Sequence, residues 1–271
     1  MRVVVVIPAY NEARTLRDIV QRALAVCERV VVVDDGSRDG SASTLPDLPI
    51  DLRVHDENRG KAAAIWTGFE AALAMDADLI VTLDADGQHR PEDVRRLVGV
   101  AAQHPARIVI GARLRRREAA PRSRRIANSI ADFWLSWACG HPVADSQSGQ
   151  RAYPAALIRA LVGEGRLRHD HAASFTLESE LLIVAARRGI RTIAVPIDCV
   201  YAAGSRPSHF RPVRDITRIV RMVARHLVMS GLHPPGLWRV VTRSPQVARV
   251  GDTGLAPGAA AAGEQELRPR V

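Results

Sequence analysis

The sequence predicts an α/β fold on a mostly parallel sheet, and three observations carry that expectation. Apolar runs, "RVVVVI" at 2–7 and "RVVVVD" at 29–34, read as strands buried on both faces. Segments with helical spacing separate the strands. Polar clusters follow the strands: "PAYNE", "DDGSRDGS" and "DADGQH". In an open parallel sheet that edge, beyond the strand carboxyl ends, is where ligands bind.

The elements follow in order. After the first strand, residues 12–26 carry Leu16, Ile19, Val20, Ala23 and Leu24 at helical spacing. The strand at 29–34 is followed by a weaker one, "IDLRV", at 50–54. A helix is expected over about 59–75, then the strand "DLIVTLD". Pro91 stands where the first turn of a helix tolerates proline, and that helix runs to about 103. "RIVIGAR" is a further strand. The second half is less regular: a helix at 123–139, the polar loop "DSQSGQRAY" leading into a short strand, a helix at 177–189, the strand "RTIAVPI", and a long helix over 211–231. One domain is expected over 1–235, with halves at 1–110 and 111–235. From about 243 the chain is rich in Gly, Ala and Pro, which predicts a disordered tail to 271.

Bulk properties narrow the function. The chain has 271 residues, 47% of them hydrophobic, enough for a sizeable core. No apolar run approaches the ~20 residues of a membrane span. "VVVVI" is too short for a secretory leader, and no small-residue cleavage site follows it, so a cytoplasmic location is expected. Cys27, Cys139 and Cys199 are too scattered for a disulfide framework or a CxxC metal site and read as free buried thiols. A net charge of +9 favours an anionic partner. Of the 38 basic residues Lys61 alone is a lysine, which hints at a local chemical need.

Asp84 and Asp86 stand one residue apart at the expected end of a strand. Residues i and i+2 of a strand share a side, so the two carboxylates would repel unless a cation lay between them. Carboxylates with the amide oxygen of Gln88 form a hard-ligand set suited to Mg²⁺ or Mn²⁺, completed by water and substrate phosphate. An EF-hand is excluded, because the twelfth position from Asp84 is Arg95. A dehalogenase-type phosphatase carries "DxDGT" with a later lysine; here Gln88 replaces the Thr and no lysine follows. The DxD motif of nucleotide-sugar transferases is the third reading.

Four segments then occur in order: "VVVVIPAYNEA", "VVVVDDGSRDGS", "NRGKAAAIWTGFEAA" and "DADLIVTLDADGQHRPEDV". Together they resemble the family 2 glycosyltransferases of GT-A fold, in particular the dolichyl- and polyprenyl-phosphate mannose or glucose synthases. "DSQSGQRAY" and "FTLESELLIVAARRGIRTIAVPI" are similar to the same group, and the resemblance spans about 2–220. It implies a metal-dependent, inverting transfer from a UDP- or GDP-sugar to a lipid acceptor, most often a polyprenyl phosphate, with a lipid or glycan hydroxyl as the alternative.

The resemblance also implies roles. Pro8, Ala9, Tyr10 and Glu12 would hold the base and ribose, with Asp34 or, preferentially, Asp35. Lys61, Asp84 and Ala85 would meet the donor, and Asp84, Asp86 and Gln88 the metal. Arg113, Arg125 and Ser129 would grip the acceptor phosphate or donor diphosphate, for which the planar arginine fork is suited. Asp145 would be the catalytic acid-base or orienting residue, with Glu178 as a second candidate. A phosphate acceptor is already a nucleophile, whereas a hydroxyl needs a general base. Gln150 departs from the family's aromatic residue and bears on acceptor identity. Arg206, Ser208, His209 and Arg211 lie in a loop that would close over the phosphates. Nucleic acid is disfavoured, because no aromatic platform interleaves with the arginines.

In the helix at 211–231, Ile216, Ile219, Val220, Val223 and Leu227 share one face, and Arg214, Arg218, Arg221 and Arg225 the other. A basic amphipathic helix can lie on a membrane surface, so peripheral attachment to the inner face of the cytoplasmic membrane is expected. A non-catalytic membrane-surface adaptor is the alternative from another class.

Overall fold

The computed structural model describes residues 1–114, 122–164, 176–198 and 212–248. Its elements are β1 (Val3–Ala9), α1 (Leu16–Leu24), β2 (Val30–Asp34), β3 (Asp51–Val54), α2 (Lys61–Ala74), β4 (Leu79–Thr82), α3 (Val94–Gln103), β5 (Arg107–Ala112), α4 (Arg122–Cys139), β6 (Arg151–Pro154), α5 (Ala155–Gly163), α6 (Leu177–Arg187), β7 (Arg191–Pro196), α7 (Pro212–Met229) and α8 (Pro234–Thr242).

The strands form one sheet in the order β3-β2-β1-β4-β6-β5-β7. Every neighbouring pair is parallel except those of β6, which runs antiparallel to β4 and β5. β1 is central, and Val4 to Ile7 are wholly buried. Its side chains alternate between two cores, as the period of a strand requires. Val4 and Val6 join Val31, Val33, Trp66 and Phe69 on the α2 side. Val5 and Ile7 join Val30, Val32, Leu16, Ile19 and Val20 on the α1 side. Burying one such side chain is worth ~1.5–3 kcal/mol, so covering both faces makes β1 the anchor of the sheet. With β2 on one side and β4 on the other, the segments after all three open at one edge.

Several expectations change in detail. β4 ends at Thr82, so Asp84 and Asp86 lie in the loop beyond the strand rather than within it. β6 is the short strand expected after the DSQSGQ loop, but its antiparallel direction carries no sequence signal, nor do the helices α5 and α8. α8 has nine residues, opens on two prolines and follows His233 in left-handed conformation. The predicted tail does not begin at 243. The Ala194 N–H donates to the Gln246 carbonyl at 2.9 Å and the Ala248 N–H donates to the Ala194 carbonyl at 2.8 Å, laying this segment against β7. Arg107 donates to Gln246 Oε1 at 2.6 Å; residues 249–271 lie outside the described residues. Cys139 is a buried free thiol, Cys27 is only half-buried, and Cys199 lies outside the described residues.

Candidate active site

The loops after β1 and β2 are stitched together by side chains. Ser37 Oγ accepts from the Asn11 N–H at 2.8 Å, and Asn11 Oδ1 accepts from the Arg38 N–H at 2.9 Å. Ser41 Oγ accepts from the Glu12 N–H at 2.8 Å, and Asp39 Oδ2 accepts from the Ala13 N–H at 3.0 Å. Thr15 at the start of α1 donates to the Ala85 carbonyl at 2.7 Å, tying this pair of loops to the DADGQH loop. Three of the clusters singled out in the sequence are thus one structure. Pro8 and Ala9 are buried within β1, and Tyr10 and Glu12 are half-buried at its exit.

Asp34 and Asp35 are both buried, and both are committed to the protein. Asp34 Oδ1 accepts from the Ser37 N–H at 3.0 Å. Asp35 accepts from the Arg59 N–H at 2.9 Å and the Gly60 N–H at 2.7 Å, and its Oδ1 lies 2.7 Å from His55 Nδ1. His55 Nε2 in turn lies 3.0 Å from Thr67 Oγ1. Asp35 therefore builds the loop that precedes α2, a role that is compatible with the base or ribose contact expected of it. His55 escaped that reading, because a single His before a Gly-containing loop carries no pattern.

Lys61 opens α2, and the structure gives it a definite place. Its Nζ lies 2.8 Å from Asp84 Oδ1 and 3.0 Å from Glu178 Oε2, with only 23% of its side chain exposed. Burial alone would lower its pKa; Asp84 and Glu178 outweigh that and raise it. Burial would raise Asp84; Lys61 and then His89 outweigh that and hold its carboxyl below the usual range. For Asp86 the relief offered by the Gln88 N–H, His89 and Lys61 is too small. The protein packed around its carboxyl, and then the charge of Asp84, push its pKa up, although the residue as a whole stays open to solvent. One ammonium thus serves three nearby carboxylates. Gln88 stands beside them, its N–H donating to Asp86 Oδ1 at 2.9 Å.

Two residues that the sequence did not mark hold this cluster from behind. Gly149 faces Asp84 so closely that a Cβ there would overlap the carboxylate, while its carbonyl accepts from Thr82 Oγ1 at 2.8 Å. Gly149→Ala is accordingly expected to push Asp84 out of place. A loss of stability of ~1–3 kcal/mol should accompany a fall of ~100-fold or more in kcat/KM, read from a melting curve and a transfer assay on the same preparation. The wholly buried Arg151 donates to the carbonyls of Ser148 (2.8 Å), Glu178 (2.6 Å) and Ser146 (2.7 Å). It joins the 146–149 loop to the start of α6 and so sets where Glu178 lies.

On the other half of the sheet edge, Arg113 and Asp145 form a forked pair. Arg113 Nε and Nη2 donate to Asp145 Oδ2 and Oδ1 at 2.8 and 2.6 Å, and the Arg113 N–H adds a bond at 2.8 Å. Burial would raise the Asp145 carboxyl; its bonds to Arg113 outweigh that and hold it below the usual range. Asp145 itself has a left-handed backbone, φ 48°. His89 is buried close enough to Asp84, Arg113, Asp86 and Asp145 to feel all four charges, and burial pushes its pKa down. Gln150 is wholly buried and donates to the Arg90 carbonyl at 3.1 Å. Arg125 and Ser129 sit one turn apart on α4, half-buried and exposed respectively. Arg206, Ser208, His209 and Arg211 lie outside the described residues.

Among the described residues no group of three His, Cys, Asp or Glu side chains converges as a ready-made metal cage. A cation held by one or two carboxylates and otherwise by water and substrate phosphate needs no such cage. The under-neutralised pair Asp84–Asp86, with Gln88 next to it, fits that donor set.

The family described as Glycosyl transferase family 2 matches residues 4–152, which include β1, the DADGQH loop and the Asp145 loop. The chain is a family 2 glycosyltransferase. The phosphatase reading falls with that assignment. The transferase is 32% identical over 73% of its length to an uncharacterized protein of Methanocaldococcus jannaschii, covering 81% of that relative. It is 27% identical over 72% of its length to the UDP-N-acetylglucosamine–dolichyl-phosphate N-acetylglucosaminyltransferase of Methanococcus voltae, covering 84% of it. In fold it matches glucosyl-3-phosphoglycerate synthase from Mycobacterium tuberculosis, solved with Mn²⁺, UDP-glucose and glycerol 3-phosphate, at a TM-score of 0.55 and 18% identity over 84% of this chain and 79% of that one. The GT-A expectation for the fold is met. No helix among the described residues is long and apolar enough to cross a membrane.

Proposed function

We propose that the transferase moves a sugar from a nucleotide-diphospho-sugar, UDP- or GDP-linked, to a polyprenyl phosphate, inverting the anomeric centre, with Mg²⁺ or Mn²⁺ at Asp84, Asp86 and Gln88. The observation that carries the acceptor is that both candidate bases are already ion-paired: Asp145 to Arg113 and Glu178 to Lys61. Asp145, its carboxyl held below the usual range by Arg113, is a weakened general base, which favours an acceptor that needs no proton removed. A phosphate brings its own negative oxygen and needs none. The relative from Methanococcus voltae, named for a dolichyl-phosphate acceptor and a UDP-sugar donor, supports the same reading.

The chain's residues divide the work. Pro8, Ala9, Tyr10, Glu12 and the backbone around Asp34 and Ala85 form the seat for base and ribose. Lys61 offers positive charge beside Asp84 where the donor diphosphate would lie. The bound cation, when present, neutralises charge developing on the leaving diphosphate. Arg113, fixed by Asp145, and Arg125 with Ser129 would hold the acceptor phosphate for in-line approach, and the loop bearing Arg206, Ser208, His209 and Arg211 would close over the phosphates. Because that acceptor is a membrane lipid, the protein would work as a peripheral enzyme on the inner face of the cytoplasmic membrane.

A thermal-shift panel of UDP- and GDP-sugars with Mn²⁺ or Mg²⁺ should single out the donor, since a ligand that binds only the native state raises its stability. Transfer is then expected to a short-chain prenyl phosphate and not to the matching prenol; transfer to the alcohol alone would overturn the reading. Asp145→Asn separates orienting from proton abstraction. Loss of orientation should raise the acceptor KM ~10-fold or more with a smaller change in kcat. Loss of a base would lower kcat by ~10²–10⁴ instead.

A further inference from the structure

α4 is apolar on two opposite sides. Leu135, Ala138 and Cys139 are buried against the domain. Ile126, Ile130, Phe133 and Trp134, at helical spacing on the other side, are between 39% and 62% exposed. Phe133, Trp134 and Trp137 form one ring cluster, with Trp134 stacked on Trp137 at 5.3 Å between centroids. α8 packs on the same helix. Trp137 Nε1 donates to the Leu232 carbonyl at 2.8 Å, and a Cβ at Gly236 would stand only 2.9 Å from Gly140 Cα. Docked this way, α8 leaves Trp238 and Val241 about 70% exposed (71% and 69%). Three of the chain's four tryptophans therefore belong to these two helices, although a soluble surface ordinarily keeps such side chains apart.

The expectation that α7 lays its apolar face on the membrane does not account for this surface. Val223 and Leu227 of that face are buried in the core beside α6. The outer side of α7 mixes charge with apolar side chains: Arg221 and Arg225 are exposed, and so are Val220, Val228 and Met229. Across α4, α7 and α8 the sequence carries eight arginines and two acids.

We infer that the exposed faces of α4 and α8, with the α7 arginines beside them, form a docking surface for an anionic lipid bilayer. Aromatic side chains settle at the headgroup level, where their rings are sheltered and their polar edges stay wet. Basic residues beside them complement anionic headgroups. A second copy is the less fitting occupant, because it would set arginine-rich surfaces against each other. The inference rests on the proposed lipid acceptor in one respect: Arg125 and Ser129 are each followed by an apolar residue of this face, Ile126 and Ile130, so a phosphate held there would lie at headgroup depth.

The test compares the full chain with the Phe133→Ser/Trp134→Ser and Trp238→Ser variants. Sedimentation with vesicles of phosphatidylcholine plus phosphatidylglycerol, and of phosphatidylcholine alone, is read beside tryptophan quenching by brominated lipid. The protein is expected to bind the anionic vesicles, with its indoles quenched, and each variant to bind about tenfold or more weakly. Melting temperature and transfer to a short-chain prenyl phosphate in solution should stay close to those of the parent. Absence of vesicle binding, or binding unchanged in both variants, would overturn the inference. So would light scattering that shows a dimer which these substitutions dissociate. Vesicle binding without transfer to a prenyl phosphate would remove the acceptor proposal and leave the docking surface standing.

Discussion

Asp86→Ala is expected to abolish sugar transfer while leaving the folded protein almost as stable as before. The two halves of that expectation have separate causes. Asp86 is open to solvent and lies beyond the end of β4, and its Oδ1 accepts from the Gln88 N–H. An exposed loop carboxylate of this kind costs ~0.5 kcal/mol or less to remove, and here its loss also relieves the repulsion from Asp84. The catalytic cost is of another order. Among the described residues Asp84 is the one of the two acids that is ion-paired, to Lys61, so a divalent cation would depend on Asp86 for its second carboxylate. Losing the charge stabilisation of a metal-held diphosphate is worth several kcal/mol, a fall in kcat/KM of ~10³-fold or more. Melting curves, Mn²⁺-dependent donor binding and transfer should be measured together. Retained transfer with an unchanged metal requirement would sink the metal assignment.

How far the site could be read beforehand depends on the range of each interaction. The strands at β1 and β2 were legible because their burial on both faces is written as unbroken valine. The sheet edge was legible because three polar clusters follow three strands. Lys61 stood out because it is the one lysine in the chain. What stayed hidden are contacts between segments far apart in sequence. Nothing local says that Gly149 must be glycine to admit Asp84, since the reason appears only once β6 is laid antiparallel beside β4. Arg151 is one of 37 arginines, and only its complete burial separates it from the solvated ones. Asp145 was recognisable as important, but its partner Arg113 is 32 residues away, and no local pattern announces that pairing. The same holds for α7, whose wheel is amphipathic whether its apolar side meets lipid or the core.

Lys61→Met should alter both the pH dependence of stability and the affinity for metal, and in opposite senses to a simple loss. In the parent protein the folded pKa of Asp84 lies below its unfolded value of ~3.9. Its contribution to stability is therefore fully present above about pH 4 and is lost as pH falls through the folded pKa. Lys61, with its folded pKa raised, contributes stability that disappears only as pH rises through that value, far above neutrality. Without the ammonium, burial and the neighbouring Glu178 and Asp86 would push Asp84 above ~3.9 instead. The folded state then binds the proton more readily than the unfolded one, so the variant should gain stability as pH falls from 7 toward 4. At pH 7 it should be ~1–3 kcal/mol less stable than the parent, a discounted share of the cost of unpairing a buried charge because the site is partly open. Mn²⁺ should restore stability to the variant more than it adds to the parent, since it supplies the missing positive charge without competing against Lys61 for Asp84. Transfer should nonetheless fall by ~100-fold or more, because the fixed cation beside the donor diphosphate is gone. Urea denaturation at pH 7 and pH 5, with and without Mn²⁺, reads all but the last of these. Parallel pH curves and equal Mn²⁺ effects would mean that Lys61 is not the counter-ion of Asp84 in solution. Opposite slopes would mean that one lysine keeps the acid pair in check until substrate and metal arrive.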